Sequence, residues 1–147
     1  MRAVHALERQ DASPSGAKPP TVFVADDDVL TTELLCEIAR DQGWMAVGFT
    51  RLSELKVELG RRRPAVLILD DDMVDGRGGD LARDLRADPR MADVTLLVCT
   101  AAHPKRAAEI GGWAPVISKP FDLGEIEGFL QDAGRQRGSS AQVDRSG

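Results

Sequence analysis

The fold class of this chain is decided by residues 64–70, which read Pro-Ala-Val-Leu-Ile-Leu-Asp. Residues 65–69 contain no polar side chain, whereas a strand with one solvated face alternates apolar and polar residues. An uninterrupted apolar run of this length is typical of a strand covered on both faces. Asp70 follows the run directly. The stretch therefore predicts the central strand of a parallel sheet, with a carboxylate at its carboxyl end.

Short apolar runs alternate with helical patterns on both sides of this strand. Such alternation is typical of strand–helix units on a parallel sheet. In the first helical pattern, Leu30, Leu34 and Ile38 recur every fourth residue and predict the buried face, which Leu35 and Ala39 widen. The sequence predicts five strands and five helices. The strands are expected at 21–25, 44–49, 65–69, 94–99 and 115–118, and the helices at 29–42, 52–60, through 81–85, at 105–110 and at 122–132.

The composition is that of an ordinary globular domain. The 147 residues are enough for one domain with its own core. A net charge of -5, from 24 acidic and 19 basic residues, argues against a nucleic-acid-binding role. Cys36 and Cys99 lie in apolar patterns and are predicted to be buried and reduced. No run approaches the roughly 18 apolar residues that span a bilayer, and no signal peptide is evident, so we expect a cytoplasmic protein.

The two ends of the chain differ from its middle. Residues 1–20 close with a Pro-, Ser- and Gly-rich stretch, which predicts a disordered N-terminal arm. Residues 134–147 are polar and rich in Gly and Ser, which predicts a disordered C-terminal tail. The folded domain is therefore expected at 21–133.

Polar residues follow four of the predicted strands in a fixed order. They are the acidic run 26–28, then Asp70, then Thr100, then Lys119. The carboxyl ends of parallel strands meet at one edge of a sheet, where open α/β sheets place their ligand sites. We therefore expect these side chains to lie together.

These residue types suit the transfer of a phosphoryl group to Asp70. Mg²⁺, or Mn²⁺ in its place, prefers oxygen ligands, and the chain offers carboxylates on Asp26, Asp27 and Asp70 and the backbone carbonyl of Asp72. A bound cation neutralises charge on the phosphoryl group, which allows a weakly nucleophilic carboxylate to attack it. Thr100 can donate a hydrogen bond to one phosphoryl oxygen, and Lys119 can pair with another.

Residues 21–133 resemble the receiver domain of two-component response regulators. The resemblance rests on Val-Ala-Asp-Asp-Asp at 24–28, the stretch 64–70 with Met73 and Gly78 following, Val-Cys-Thr-Ala at 98–101, and Lys-Pro-Phe at 119–121. It implies a flavodoxin-like (βα)5 fold, a doubly wound five-stranded parallel sheet in a three-layer α/β/α arrangement. It also implies a cis peptide bond between Lys119 and Pro120.

The same resemblance implies the function and the role of each residue. A sensor histidine kinase or a histidine phosphotransfer protein would phosphorylate Asp70. Asp27, Asp70 and the Asp72 carbonyl would hold Mg²⁺ with the assistance of Asp26. Thr100 and Lys119 would sense the phosphoryl group. The domain would act as a stand-alone signalling protein, not as an enzyme beyond self-phosphorylation and self-dephosphorylation, and no further cofactor is expected.

Several features depart from the receiver pattern. Val74 stands where such domains usually carry Pro, and Arg77 stands where Asp usually precedes the glycine. Val116 replaces the expected switch aromatic, and the chain contains no Tyr. Lys119 follows Thr100 by 19 positions, which predicts a short or irregular fourth helix. The side chain of Asp72 either reaches over the acceptor and tunes attack by water or faces solvent; both interpretations stay open.

Two other functions are compatible with parts of the sequence. The run 70–74, Asp-Asp-Asp-Met-Val, resembles the nucleophile motif of haloacid-dehalogenase-type phosphatases, although the acidic pair precedes it here instead of following the lysine. An atypical receiver-like binding module that works without phosphorylation is the other alternative. For all of these we expect a protein partner downstream, no DNA, because few residues follow the last helix, and no membrane contact. A homodimer is left open.

Overall fold

The computed structural model describes the backbone of residues 19–146 and the side chains of residues 19–137. Five strands form one sheet: β1 (Thr21–Ala25), β2 (Met45–Phe49), β3 (Val66–Asp70), β6 (Thr95–Thr100) and β7 (Val116–Ser118). Two shorter strands, β4 (Asp72–Met73) and β5 (Gly76–Arg77), form a separate antiparallel hairpin. The sheet order is β2-β1-β3-β6-β7 and every pair in it is parallel. The predicted doubly wound sheet, with residues 66–70 at its centre, is confirmed.

Helices cover both faces of the sheet. They are α1 (Val29–Asp41), α2 (Leu52–Leu59), α3 (Gly78–Arg86), α4 (Pro104–Ile110) and α5 (Leu123–Ser146), with a 3₁₀ turn at Pro89–Met91. Buried residues of α1 and α5 share one core cluster, and those of α2, α3 and α4 share the other. The three-layer α/β/α arrangement is therefore confirmed, and α4 is as short as the spacing between Thr100 and Lys119 predicts.

The sheet strands divide their side chains between the two cores. In β3, Leu67 and Leu69 pack on the side of α2, α3 and α4, while Val66 and Ile68 pack on the side of α1 and α5. Successive residues of a strand face opposite sides of the sheet. All five residues of β3 are buried, which explains why this segment tolerates no polar residue before Asp70.

The buried face of α1 agrees with the prediction in part. Leu35, Ile38 and Ala39 are buried, as predicted, but Leu30 is 74% exposed and Leu34 is 42% exposed, and Thr32 is buried as well. Thr32 accounts for the rotation, because its hydroxyl donates to the carbonyl oxygen of Asp26 at 2.7 Å and so holds that side of the helix against the sheet. A polar anchor of this kind is invisible to hydrophobic periodicity.

The last helix is longer than predicted. It continues past Asp132 to Ser146, so residues 134–146, which the sequence assigns to a disordered tail, are helical. Ala133 is buried and extends the spacing of Ile126 and Leu130, and a Cβ at Gly134 would lie 3.7 Å from the ring of Trp44. Packing continues beyond the predicted end, and the residues that follow contain no proline to stop the helix.

Three other predictions concern the ends, the cysteines and the membrane. Residues 1–18 of the predicted N-terminal arm lie outside the described residues. Cys36 and Cys99 are both buried and outside any disulfide, as predicted. Within residues 19–146, no helix combines the length and the apolar character needed to cross a bilayer.

Candidate functional site

The four polar positions meet at the carboxyl edge of the sheet. The N–H of Asp26 donates to the carbonyl oxygen of Phe49 at 3.0 Å, which extends the pairing of β1 with β2 by one residue. Asp70 ends β3 opposite Cys99 of β6. The N–H of Lys119 donates to the carbonyl oxygen of Thr100 at 2.8 Å. The parallel register therefore brings together residues that are as much as 93 positions apart.

A lysine joins two buried carboxylates at this edge. The Lys119 Nζ lies 3.0 Å from Asp26 Oδ2 and 3.3 Å from Asp70 Oδ2. Asp26 and Asp70 are 3% and 4% exposed, so water screens their charges poorly. The peptide bond between Lys119 and Pro120 is cis, as predicted.

Burial sets the protonation of these groups. Loss of solvation, reinforced by the negative charge of Asp26 and opposed by Lys119, raises the pKa of Asp70 to about 6. Burial disfavours the charged form of Lys119 as well, but its contacts with Asp26 and Asp70 outweigh burial and raise the pKa of this ammonium group. Near neutral pH the site therefore holds an ionised Asp70 that is destabilised by its surroundings.

Three carboxylates at this edge can hold a cation. Asp26, Asp27 and Asp70 each offer an oxygen, and these oxygens lie within 4.8 Å of one another. A set of carboxylate oxygens with one exposed member, Asp27, fits a hard cation such as Mg²⁺ that keeps several waters. The N–H of Asp72 donates to Asp70 Oδ1 at 3.3 Å, and its side chain is exposed. The ligand role of the Asp72 carbonyl stays a prediction. The exposure of the side chain fits the interpretation that it faces solvent, and an effect on attack by water stays a hypothesis.

The acidic run is held in place by the start of α1. Asp28 is the N-cap residue of that helix and accepts from the Thr31 N–H at 3.2 Å, in addition to a short contact with the Thr31 hydroxyl. The Asp28 N–H in turn donates to Asp26 Oδ1 at 2.9 Å. Asp26 and Asp27 therefore belong to the carboxylate cluster, and Asp28 caps the N-terminus of α1.

Thr100 lies at the end of β6 and is 1% exposed. Its hydroxyl oxygen accepts from the N–H of Ala102 at 2.9 Å. A threonine hydroxyl has one proton to donate and lone pairs to accept. Since the backbone occupies a lone pair, the proton stays available for an oxygen in the site, as the prediction for Thr100 requires.

The loop after Asp70 contains a hairpin that the sequence analysis did not predict. β4 and β5 pair Met73 with Gly76, and Gly76 has a φ of 152°, a conformation that favours glycine. At the turn, the carboxylate of Asp75 accepts from the N–H groups of Leu52 at 2.8 Å and Ser53 at 3.0 Å. The turn therefore caps the N-terminus of α2, and it lies in the loop where Val74 and Arg77 depart from the receiver pattern.

Asp71 and Arg106 form an ion pair beside Asp70 that was not predicted from the sequence. The Asp71 side chain is fully buried, and Arg106 Nη2 lies 2.9 Å from its Oδ1. Burial favours protonation of Asp71, but hydrogen bonds from Arg106 and from the Gly79 N–H outweigh burial and lower the pKa of this carboxyl group. The available signal was a second acidic residue directly after an all-apolar strand, where a charge needs a buried partner.

An aromatic side chain also lies near the site, although Val116 is not aromatic. Trp113 follows α4, and its Nε1 donates to the carbonyl oxygen of Gly79 at 2.8 Å. The guanidinium carbon of Arg83 lies 5.5 Å from the centre of one ring of this residue. Trp113 and Val116 both pack against the core on the side of α3 and α4. No motif in the sequence predicts a role for Trp113.

The fold and the site define the class of the protein: a doubly wound α/β domain with an acidic, metal-competent site at the carboxyl edge of its sheet. The chain belongs to the family of response regulator receiver domains, whose model matches residues 22–131. Members of this family are signalling domains of two-component systems, in contrast to classical enzymes, and they interact with histidine kinases and effectors. The phosphatase interpretation of residues 70–74 is therefore rejected.

Curated relatives agree with this assignment. The chain is 30% identical over 110 residues to the probable transcriptional regulatory protein TcrX of Mycobacterium tuberculosis, covering 74% of this chain and 47% of TcrX. It is 27% identical over 123 residues to the KDP operon transcriptional regulatory protein KdpE of Escherichia coli, covering 84% of this chain and 55% of KdpE. The chain thus spans about half the length of these relatives.

Solved structures share the fold. The beryllofluoride-activated NtrC4 receiver domain dimer aligns with a TM-score of 0.71 at 21% identity, covering 79% of this chain and 97% of that one. The signal receiver domain of a DNA binding response regulator from Colwellia psychrerythraea aligns with a TM-score of 0.72 at 16% identity, covering 78% of this chain and 98% of that one. At these identities the likeness concerns the fold alone.

Proposed function

We propose that this protein accepts a phosphoryl group on Asp70 from a histidine kinase or a histidine phosphotransfer protein in a Mg²⁺-dependent reaction. The observation that carries the proposal is the convergence of Asp26, Asp27, Asp70 and Lys119 at one edge of the sheet. Aspartyl phosphate formation needs positioning and charge neutralisation more than it needs covalent chemistry from the protein. This edge offers both, beside a carboxylate that ends the most buried strand.

Asp70 is the nucleophile of the proposed step. An oxygen of its carboxylate forms a bond to phosphorus as the bond between phosphorus and the donor's imidazole nitrogen breaks, and the imidazole keeps the electron pair and takes up a proton. The products are an acyl phosphate on Asp70 and a neutral histidine on the donor. A bound Mg²⁺ would contribute charge neutralisation of the phosphoryl oxygens. Asp26 and Asp27 would hold that cation, together with Asp70 and, as predicted, the carbonyl of Asp72.

Lys119 and Thr100 would receive the phosphoryl group. The ammonium of Lys119 already lies within 3.3 Å of Asp70 Oδ2, so it can pair with a phosphoryl oxygen as that oxygen approaches. The hydroxyl of Thr100 can donate to a second oxygen, because its proton is not used by the Ala102 N–H. Charge-assisted hydrogen bonds of this type are the stronger ones. Both residues would therefore report the phosphorylated state to the strands that carry them.

The exposed face of α1 supports a protein as the phosphodonor. Val29, Leu30 and Leu34 are 55%, 74% and 42% exposed, and the first two directly follow the acidic run. Apolar side chains on a helix beside a reactive carboxylate provide a surface on which a donor can dock. Signalling onward is proposed to occur through protein contacts. Two expectations from the sequence stay predictions: the domain acts without an attached output domain, and it does not contact DNA. The sequence leaves a homodimer open.

The proposal is tested with a small phosphodonor. The purified protein is incubated with acetyl phosphate in the presence of Mg²⁺ or of a chelator, and its intact mass is measured. We expect one phosphoryl group per chain, dependent on the metal, labile to alkali and lost in Asp70→Asn. Asp72→Asn is the neighbouring control, which should retain the adduct. The lifetime of the adduct in this control also tests whether the Asp72 side chain tunes hydrolysis.

An unphosphorylated binding module is the second candidate. It is favoured by Val74 and Arg77 in the loop after Asp70 and by Val116, all of which depart from the receiver pattern. Absence of an adduct at saturating acetyl phosphate and Mg²⁺, in a protein that is folded by circular dichroism, would contradict the first proposal and favour this one. Catalytic turnover of a generic phosphate ester would contradict both.

A further inference from the structure

The residue after the acceptor ties the central strand to its neighbours. The N–H of Asp71 donates to the carbonyl oxygen of Cys99 in β6 at 2.9 Å. Its own carbonyl oxygen accepts from the N–H of Gly78, the first residue of α3, at 3.1 Å. Asp71 shares a peptide bond with Asp70. Any displacement of the backbone at the acceptor is therefore passed to a strand and to a helix.

The side chain of Asp71 extends this connection to α4. Arg106 Nε lies 3.2 Å from Asp71 Oδ2, and Arg106 Nη2 lies 2.9 Å from Oδ1. This two-nitrogen contact fixes the relative orientation of the two groups as well as their distance. The N–H of Gly79 donates to the same Oδ1 at 2.9 Å. The carboxylate thus holds the start of α3 and a side chain of α4 at one point.

Arg106 carries the connection further along both helices. Its Nη2 lies 3.1 Å from Asp80 Oδ1 on α3, and its Nη1 lies 2.9 Å from Glu109 Oε1 on α4. The Arg106 side chain is 15% exposed and that of Asp71 is 0% exposed. Removing one member of a buried ion pair leaves an uncompensated charge, so the two groups resist separation. The pair therefore moves as a unit or breaks at a considerable cost.

We propose that the Asp71–Arg106 ion pair positions α4 relative to the phosphoacceptor and transmits the state of Asp70 to the surface of that helix. Arg106 acts as a positioning residue, since its contacts are with Asp71, Asp80 and Glu109. The inference rests on the proposed function, because the state that is transmitted is phosphorylation of Asp70. The surface read by a partner is accordingly the exposed side of α4.

The physical cause is the connection between the acceptor and the pair. Phosphorylation adds charge and volume at Asp70, whose Oδ1 accepts from the Asp72 N–H and whose Oδ2 contacts Lys119. Both contacts must adjust when an oxygen of this carboxylate becomes bonded to phosphorus. Asp71 lies between Asp70 and Asp72 in the chain, and the hydrogen bond between these two residues is one of the contacts that must adjust. The Asp71 carboxylate is fully buried, and its other cationic contact, Arg77 Nη2, is longer, at 3.7 Å, and belongs to a side chain that is 53% exposed. A shift of this backbone is therefore followed by Arg106 and by the helix that carries it.

Trp113 is a natural reporter of this movement. Its indole N–H donates to the carbonyl oxygen of Gly79, and the N–H of the same glycine donates to Asp71. Trp113 also follows α4 directly after Gly111 and Gly112. The other tryptophan, Trp44, lies at the opposite end of the sheet beside Pro20 and Gly134. In a Trp44→Phe background, the fluorescence of the protein comes from Trp113 alone.

The experiment measures the adduct and the fluorescence in the same sample. Trp44→Phe protein is treated with acetyl phosphate and Mg²⁺, its phosphoryl content is measured by intact mass, and its emission is compared before and after treatment. We expect a change in Trp113 emission that appears with the adduct. Addition of Arg106→Met should retain the adduct and lose the emission change. Lys105→Met is the matched control, because it removes one exposed positive charge from the same helix and should retain both signals.

A double variant tests the same ion pair in case a single variant does not fold. Asp71→Asn removes the buried charge and keeps an oxygen that can accept from Gly79. Combining it with Arg106→Met leaves no buried charge unpaired, because the side chains of Asp80, Glu109 and Arg77, which also contact this pair, are 45%, 61% and 53% exposed. This double variant is therefore expected to fold even where a single one does not. It should behave as Arg106→Met does, with the adduct formed and the emission change lost.

Several results of this experiment would contradict the inference about the Asp71–Arg106 ion pair. A full emission change in folded Arg106→Met or in the double variant overturns the inference, and so does an adduct in the parent protein without any change in Trp113. Loss of the adduct in both folded variants also overturns it, because the pair would then be needed for acceptance and not for transmission. Absence of an adduct in the parent protein contradicts the proposed function itself and removes the inference with it.

Discussion

The site at the carboxyl edge of the sheet is a set of charged groups whose energies depend on burial. Asp26 and Asp70 place two carboxylates beside one another with little water, and Lys119 compensates for part of the repulsion. The raised pKa of Asp70 expresses the remaining penalty. A carboxylate whose ionised form is destabilised by burial is the one that a neighbouring cation stabilises most. The surroundings that raise the pKa of Asp70 therefore lower the stability of the metal-free fold.

This penalty predicts how stability depends on pH. The pKa of Asp70 is about 6 in the folded protein against 3.8 for the free group, so the folded state binds the proton more tightly. Protonation of Asp70 therefore stabilises the folded state. This stabilisation is complete below pH 3.8 and is lost as the pH rises through about 6. Without metal, the free energy of unfolding should increase by roughly 1 kcal/mol between pH 7.5 and 5.5. Urea denaturation in the presence of a chelator measures the change.

Asp70→Asn provides the control for this pH dependence. It should lack the increase between pH 7.5 and 5.5 and should be more stable than the unmodified protein at pH 7.5 by about 1 to 3 kcal/mol. If the free energy of unfolding changes equally with pH in the two proteins, other carboxyl groups are responsible for the dependence. Asp71 is not expected to contribute in this range, because its pKa is lowered.

At the scale of elements, the site depends on how closely α3 approaches the end of β3. Gly78 begins that helix, and a Cβ there would lie 2.1 Å from the carbonyl oxygen of Asp70 and 2.8 Å from Leu69 Cγ. Only a residue without a side chain allows this approach. The same close packing lets the N–H of Gly79 reach the carboxylate of Asp71. The glycine that the sequence motif includes therefore has a steric reason.

Gly78→Ala should destabilise the protein. The added methyl group overlaps backbone atoms that cannot move without shifting β3, so we expect a loss of about 1 to 3 kcal/mol in the free energy of unfolding. Gly128→Ala in α5 is the matched control: a Cβ there meets nothing within 4 Å, and alanine favours the helix by up to about 1 kcal/mol. Urea denaturation of the two variants compares them. A neutral Gly78→Ala would contradict the close approach.

At the scale of the whole molecule, the parallel sheet assembles a site from four separate segments. The acidic run follows β1, Asp70 ends β3, Thr100 ends β6 and Lys119 follows β7. Each strand is anchored in two cores, one on each face of the sheet. Because the strands are rigidly packed, the carboxylates are held close together in spite of their repulsion. A cation that binds between them should therefore stabilise the entire fold.

Mg²⁺ is predicted to raise the melting temperature through the carboxylate cluster. A ligand that binds only the folded state at 100 times its dissociation constant stabilises by about 2.7 kcal/mol. Asp27→Asn removes an exposed ligand and should reduce the shift, as measured by thermal denaturation with and without Mg²⁺. Asp28→Asn is the control, since asparagine also caps a helix and Asp28 lies outside the cluster. Equal shifts in the two variants would place the cation elsewhere.

The amino-acid sequence by itself determined the sheet, its central strand, the order of Asp70, Thr100 and Lys119, and the shortness of α4. These features follow from apolar runs and from the residues directly beside them, which are local properties. The tertiary structure alone decided that α1 buries Thr32 and exposes Leu30 and Leu34, how far α5 extends, and that Asp71 is paired with Arg106 at 35 positions' distance. The physical reason is that burial and ion pairing depend on residues that are neighbours only after folding.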